Sequence, residues 1–293
     1  MMRALITGGS GFIGRNLVEY LGDRYDISAP GSAELDLLDE RSVREFLRSG
    51  GFDVIVHAAT TRSNRSLGAP PDMLDRNCRM FFNLARNQAL FGKMLHFGSG
   101  AEYSRECLPV SVKESYFDTR VPRDAYGFSK YICAKYAEKA DNIFVLRLFG
   151  VFGRYEAWEV RFISNACARV VKGLPILVRR NVAFDYLYVK ELARLTAWFI
   201  ENEPRHKAYN FCRGRTFTLL ELAQMVAAVS GRNPEIIVRD EGMAPEYSGD
   251  NTRMLGEIGA FQFREMRECV GELYQWYEAH ASEIDAAQLR FDE

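Results

Sequence analysis

The feature that most restricts how this chain folds is the run Thr7-Gly8-Gly9-Ser10-Gly11-Phe12-Ile13-Gly14. It follows a short apolar strand pattern at Ala4–Thr7 and opens a helical pattern at Gly11–Leu21. Gly8, Gly11 and Gly14 stand three apart. Glycine is required where the chain turns sharply, where backbone approaches a bound pyrophosphate, and where a helix packs closely on a strand. The helix start then offers unpaired amides and the positive end of its dipole to a phosphate. A glycine triplet alone is weak evidence, but between a first strand and a first helix it predicts a dinucleotide site on an α/β sheet.

The pattern downstream agrees with that sheet. Apolar runs at Asp26–Ala29, Val54–Ala58, Met94–Gly98 and Ile143–Leu148 alternate with helical spacing at Ser42–Ser49, Leu74–Leu90 and Tyr126–Ala140. That alternation predicts βαβ units and a Rossmann-type, doubly wound parallel sheet. Two further strands, Val182–Tyr188 and Ala208–Cys212, flank a helix at Val189–Glu201. After Gly153 the texture changes, and helices are predicted over Arg154–Pro175, Thr216–Pro234 and Met266–Ala281; Thr218 with Glu221 forms a capping-box pattern in the second. Residues 1–153 with 182–212 are expected to form the dinucleotide-binding domain. Residues 154–181 with 213–293 are expected to form a smaller, mixed α/β substrate lobe, with the ligand cleft between the two.

Composition narrows the partners. With 38 Lys+Arg against 39 Asp+Glu, the chain has no basic field to displace the counterions of a polyanion, so nucleic acid is not an expected partner. The greasiest run, Ile143–Phe152, is short and interrupted by Arg147, so no membrane span is expected. The N-terminal residues lack the apolar stretch and small-residue cleavage site of a signal peptide, and a cytoplasmic protein is expected. Cys78, Cys107, Cys133, Cys167, Cys212 and Cys269 are dispersed with no Cys-x-x-Cys pair, so reduced thiols and no metal site are expected.

Tyr126-Gly127-Phe128-Ser129-Lys130 places a phenol and an ammonium four residues apart, on one face of a helix. A phenol ordinarily titrates near ~10, and an adjacent cation favours the phenolate, which suits it to proton transfer. Ser99, in His96-Phe97-Gly98-Ser99-Gly100-Ala101-Glu102-Tyr103, lies just past a strand end, where open α/β sheets bind ligands. Its hydroxyl suits a hydrogen bond to a reacting oxygen.

Glycine loop, Ser99, Tyr126 and Lys130 in this order resemble the extended short-chain dehydrogenase/reductase family, also described as NAD-dependent epimerases/dehydratases, whose members mostly act on nucleotide sugars. The resemblance covers nearly the whole chain. It implies that Tyr126 is the general acid/base, that Lys130 also binds the nicotinamide ribose, and that Ser99 orients the substrate oxygen. It implies cofactor contacts from Thr7, Gly8, Gly11, Phe12, Ile13 and Gly14, from Asp36 and Leu37 at the adenine, from Ala58 and Ala59, and from Phe149 near the nicotinamide. Asn77 matches a common structural asparagine. Phe184-Asp185-Tyr186-Leu187-Tyr188-Val189-Lys190-Glu191 resembles the family's Arg-Asp-Phe-x-x-Val-Asp-Asp stretch, with Phe184 standing where arginine is usual.

Dehydratases of the family carry Asp-Glu directly after the serine or threonine; here Gly100-Ala101 follows, which argues against dehydration. Glu102 reads as a solvated or structural carboxylate. Similarity is strongest to the GDP-fucose-synthase-like branch, in which a cysteine and a histidine epimerise the sugar before reduction. Ala101 and Arg161 stand at those positions; alanine has no proton to give and arginine stays protonated. What remains suits reduction of the 4-keto group of a nucleotide-diphosphate deoxysugar. A 4-epimerase with tightly bound NAD is the alternative, and a non-catalytic dinucleotide sensor a remote one. Arg161 and Arg253 are candidates for the substrate diphosphate, which a guanidinium binds through paired hydrogen bonds. No acid follows Ile27-Ser28-Ala29 before Glu34, so NADP(H) is favoured over NAD(H). Family members commonly dimerise through two helices matching Leu74–Leu90 and Tyr126–Ala140, with Met80, Phe81, Leu84, Tyr131 and Ala134 as the candidate surface of a homodimer.

Overall fold

The computed structural model describes residues 1–61 and 70–289, and of residue 107 the backbone alone. The chain runs β1 (Arg3–Thr7), α1 (Phe12–Leu21), β2 (Asp26–Ser28), α2 (Glu40–Gly50), β3 (Phe52–His57), α3 (Met73–Ala85), β4 (Phe91–Ser99), α4 (Ala125–Ala137) and β5 (Ile143–Leu148). It continues through β6 (Gly150–Phe152), α5 (Phe162–Val171), β7 (Ile176–Asn181), β8 (Ala183–Tyr188), α6 (Val189–Glu201), β9 (Ala208–Phe211) and β10 (Thr216–Thr218). It ends with α7 (Leu219–Ser230), β11 (Ile236–Met243), α8 (Thr252–Ile258), α9 (Met266–Ala279) and a last short turn of helix.

Six strands form one parallel sheet in the order β2-β1-β3-β4-β5-β9. The chain steps outward from β1 to β2 and then returns to β3 on the other side of β1. The carboxyl ends of β1 and β3 therefore flank the point where the winding reverses, the place where such sheets open a ligand crevice. Alternation along the strands sends Ala4 and Ile6 to one face, with Leu17 of α1 and Leu192, Leu195 and Phe199 of α6. Leu5 and Ile55 face the other side, with Leu47 of α2, Phe81 and Leu84 of α3 and Cys133 of α4. Each such fully buried Leu, Ile or Phe stabilises the fold by ~1.5–3 kcal/mol relative to exposure, so this two-faced core holds the crevice rigid.

A third core joins α5, α7 and α9 around Ile163, Cys167, Leu222, Val226, Val270 and Leu273, beside the parallel pair β7 and β11. Strand β8 does not enter the large sheet; it pairs in parallel with β6 and antiparallel with β10.

Several segments differ from the sequence expectation. Arg154–Pro175 is helical only over Phe162–Val171; the residues before it run through turns, with Tyr155 at φ +68. There the Tyr155 ring sits 3.7 Å under the Arg15 guanidinium and edge-on to Trp276. Thr216–Thr218 is a strand, so the next helix starts at Leu219. Strands β7 and β11 were not expected, and the run Ile143–Phe152, which reads as one buried strand, divides into β5 and β6. Of the five residues assigned to a dimer surface, Phe81, Leu84 and Ala134 are buried in the protomer's own core, leaving Met80 and Tyr131 partly exposed. Among the described residues no helix is long and apolar enough to cross a membrane.

Candidate functional site

The glycine loop lies at the winding reversal. Gly8 has φ +71, and a Cβ there would stand 2.8 Å from the backbone of Ala59. A Cβ at Gly14 would overlap the Gly8 carbonyl. The Gly11 amide donates to the Gly8 carbonyl at 2.9 Å, and Gly11 begins α1 without any side-chain cap or acidic residue in the first turn. The start of α1 is thus left with free amides and no competing carboxylate, which fits a pyrophosphate. A depression of about 530 Å³ opens here, lined by Gly8, Gly11, Phe12, Ile13, Gly14, Ala58 and Ala59. Thr7 ties the crevice together: its Oγ1 bonds His57 Nδ1 at 2.7 Å and accepts the Ala59 amide at 3.3 Å. Asp36 and Leu37 do not line this depression. Leu37 is in the core, and Asp36 accepts the Leu38 amide at 2.9 Å beside a separate groove with Arg79 and Arg86.

A second cavity of about 410 Å³ shares Phe12, Ile13 and Ala58 with the first. Ser99, Tyr126, Phe149 and Arg161 line it. Ser99 ends β4 and caps the following turn reciprocally: its Oγ accepts the Ala101 amide at 3.1 Å, and its own amide donates to Glu102 Oε1 at 2.9 Å. Glu102 is fully buried and meets Arg147 Nε at 2.6 Å, while the guanidinium lies 4.2 Å over the Phe117 ring. Burial pushes the Glu102 carboxyl up, and Arg147 with the Ser99 amide opposes that shift. Glu102 is a structural carboxylate and not a solvated one.

Tyr126 stands in the first turn of α4, whose start is capped by Asp124 accepting the Gly127 amide at 2.8 Å. One turn on, Lys130 is buried and its Nζ donates to the Phe97 carbonyl at 2.7 Å. Ser129 donates to the Tyr126 carbonyl at 2.8 Å and accepts from Asn77 at 3.3 Å, tying this turn to α3. The start of α4 is therefore fixed from three sides.

The two proposed arginines separate. Arg161 begins α5 at the cavity wall. Arg253 does not line the cavity: its guanidinium donates to the Ala208 carbonyl at 3.1 Å and lies 3.7 Å from Glu114, at the outer edge of β9.

Two residues of the wall, Tyr247 and Glu156, were missed in the sequence. Tyr247 reaches in beside Phe184, their rings 5.6 Å apart, in the same wall as Ser99, and the Arg105 guanidinium lies 5.2 Å over its ring. Burial raises this phenol, against the lowering pull of Arg105. Glu156 is a buried carboxyl in the same wall; burial pushes it up to about 8 although the Ser164 hydroxyl donates to it at 2.7 Å. Phe184, in the place of the expected arginine, makes this wall aromatic with Tyr186 and Tyr247. No local spacing signals Tyr247 or Glu156; the sole trace of Tyr247 is Gly100, where a Cβ would overlap its hydroxyl.

A family model described as "NAD dependent epimerase/dehydratase family" matches residues 4–212. The chain is 28% identical over 298 residues to a GDP-6-deoxy-D-talose 4-dehydrogenase of Aggregatibacter actinomycetemcomitans, covering 94% of this chain and 97% of that one. It is 22% identical over 302 residues to a GDP-L-fucose synthase of Azorhizobium caulinodans, covering 94% and 96%. In three dimensions it resembles a GDP-mannoheptose C4 reductase from Campylobacter jejuni solved with NADP bound, with TM-score 0.79, 18% identity and 94% and 98% coverage. Glycine crevice, strand order and family match agree: this chain belongs to the NAD dependent epimerase/dehydratase family.

Proposed function

We propose that the protein reduces the 4-keto group of a nucleotide-linked deoxysugar with a reduced nicotinamide dinucleotide. The observation that carries this reading is the continuity of two cavities through Phe12, Ile13 and Ala58, with the glycine loop in one and Ser99 and Tyr126 in the other. Relatives named as 4-dehydrogenase and GDP-L-fucose synthase support the substrate class. Gly8, Gly11 and Gly14 would hold the pyrophosphate, and Ala58 and Ala59 would border it. The bound nicotinamide would supply a hydride to C4.

Tyr126 then gives its phenolic proton to the C4 oxygen, and the product is the alcohol. Ser99 donates a hydrogen bond to the same oxygen as negative charge develops on it. Lys130, one turn after Tyr126 and held by the Phe97 carbonyl, would bind the nicotinamide ribose hydroxyls. Arg161 is the cation at the cavity wall for the diphosphate. Ala101 is buried and carries no proton, which supports reduction without the family's epimerising cysteine.

NADP(H) is the proposed cofactor form, because β2 ends at Ser28 with no carboxylate to repel a 2′-phosphate. Residues 1–153 with 182–212 serve the cofactor and 154–181 with 213–293 the sugar; the apolar cores cross this boundary, Met254 packing into the core of the large sheet and Phe152, Tyr188 and Val189 into that of α5, α7 and α9. A cytoplasmic homodimer completes the reading, supported by dispersed free thiols and by partly exposed Phe128 and Tyr131 on α4; elution at the protomer's mass in gel filtration would remove the dimer.

The test is turnover of GDP-, dTDP-, CDP- and UDP-linked 4-keto sugars with NADPH and with NADH. Reduction by the wild type, preference for NADPH in kcat/KM, and a loss of ~100-fold or more in kcat for Tyr126→Phe are expected. Interconversion of 4-epimers without added NAD(P)H would instead establish an epimerase.

A further inference from the structure

Among the described residues lining the cavity of Ser99 and Tyr126 there is a single carboxyl, Glu156, and the proposed reduction does not use it. Glu156 lies in the turns between β6 and α5 and is only 7% exposed. Taking a carboxyl out of water is costly unless its oxygens are paired. One of them is: the fully buried Ser164 hydroxyl, from the first turn of α5, donates to Oε2 at 2.7 Å. The other, Oε1, has no hydrogen-bond partner among the described residues and, in a residue that lines the cavity, is left for a ligand. Arg161 of the same wall lowers the carboxyl without forming an ion pair with it, and burial outweighs that pull. The flanking elements give the cavity apolar groups, Val151 from β6 and Phe162 and Ile163 from α5. A ligand that meets Oε1 there must bring its own hydrogen-bonding group.

We propose that Glu156 is a specificity-determining residue that reads a ring hydroxyl of the substrate sugar, at C2 or C3, through Oε1, with Ser164 holding the carboxyl in place. The position follows from the chemistry of a nucleotide-linked 4-keto-6-deoxyhexose. Its C1 carries the diphosphate, C4 the keto oxygen that Ser99 and Tyr126 engage, C5 the ring oxygen and C6 no oxygen, which leaves the hydroxyls at C2 and C3. A hydroxyl suits Oε1 in either protonation state, because it donates to a carboxylate and accepts from a neutral carboxyl. A sugar ammonium suits the carboxylate alone, and burial, which pushes Glu156 up to about 8, favours the neutral form at neutral pH. A sugar with only hydrogen at the recognised carbon leaves Oε1 unpaired in a closed site and is rejected.

This inference rests on the 4-keto reductase reading, and the experiment separates the two. Full-length wild type, Glu156→Leu and Glu156→Gln are assayed with saturating NADPH, the 4-keto sugar the wild type turns over best, and the 2-deoxy and 3-deoxy forms of that sugar. The wild type should lose ~100-fold or more in kcat/KM on one of the two deoxy forms. Glu156→Leu should lose ~10- to 100-fold on the parent sugar, yet turn over that deoxy form better than the wild type does, because no buried oxygen is left unpaired. Glu156→Gln, which keeps a donor and an acceptor, should retain the wild-type order of preference. A merely structural Glu156 would lower the parent and the deoxy forms by one common factor, and that result overturns the proposal. So does a wild type that accepts both deoxy forms within about 3-fold of the parent, a measurement that holds even where Glu156→Leu fails to fold. In both cases the reductase reading stands. A wild type that reduces none of the 4-keto sugars overturns that reading and the inference with it.

Discussion

The ion pair beneath Ser99 shows how much a single residue does at this site. Glu102 and Arg147 are both essentially excluded from water, and Glu102 also receives the Ser99 amide. Replacing both by apolar groups would cost little in principle, but removing one leaves the other charged and buried. Arg147→Met is therefore expected to lower the unfolding free energy by ~3–5 kcal/mol, read from urea unfolding; a loss under about 1 kcal/mol would mean Glu102 finds water. The same residue-level physics explains what was legible in the sequence. Ser99, Tyr126 and Lys130 stand out in the sequence because the proposed chemistry constrains their spacing and the place of Ser99 after a strand end. Tyr247 does not, because only the pairing of its segment beside β8 brings it to the wall that holds Ser99. Arg253 was misassigned for the converse reason: its partners, Glu114 and the Ala208 carbonyl, are remote in sequence and claim its charge.

At the level of elements, legibility followed the strength of local signals. The capping box at Thr218 is formed as the sequence implied: its hydroxyl accepts the Glu221 amide at 3.1 Å, and Glu221 accepts the Thr218 amide at 2.7 Å. Those bonds hold the Glu221 carboxyl below its usual range. Thr218→Ala should cost ~1 kcal/mol, as loss of an N-cap does, and a urea midpoint indistinguishable from wild type would show that α7 is held by its packing on α5 and α9 and not by its cap. The parallel strands of the large sheet were visible as apolar runs because both of their faces are covered. By contrast β7 and β11 hide in the stretches Ile176–Asn181 and Ile236–Met243, where several charged or exposed side chains break the alternation on a pair covered on one side. The Arg154–Pro175 stretch carries helical spacing, but its first part runs through turns, with Tyr155 at φ +68, and the helix forms only over Phe162–Val171.

For the molecule as a whole, buried titratable groups set opposing slopes of stability with pH. His57 and His96 stack at 5.2 Å under the sheet; burial, reinforced by Lys130, lowers both, His57 to about 3. Below ~6.5 the unfolded chain protonates these imidazoles while the folded one does not, so they destabilise the fold progressively as pH falls. Glu156 acts in the other direction. Its carboxyl titrates at about 8 in the fold because of burial, against ~4.3 in the unfolded chain. Between those values the folded state holds one more proton than the unfolded state, so this group makes stability fall as pH rises, by ~1.4 kcal/mol per unit. Above pH 6.5 the histidines no longer offset it. Thermal midpoints should therefore decline from pH 6.5 to 8 in the wild type, and Glu156→Gln, which keeps the size and an acceptor for Ser164, should flatten that decline. Parallel profiles for the two proteins over this range would mean that Glu156 is already ionised in the cavity, with Arg161 as its counter-charge.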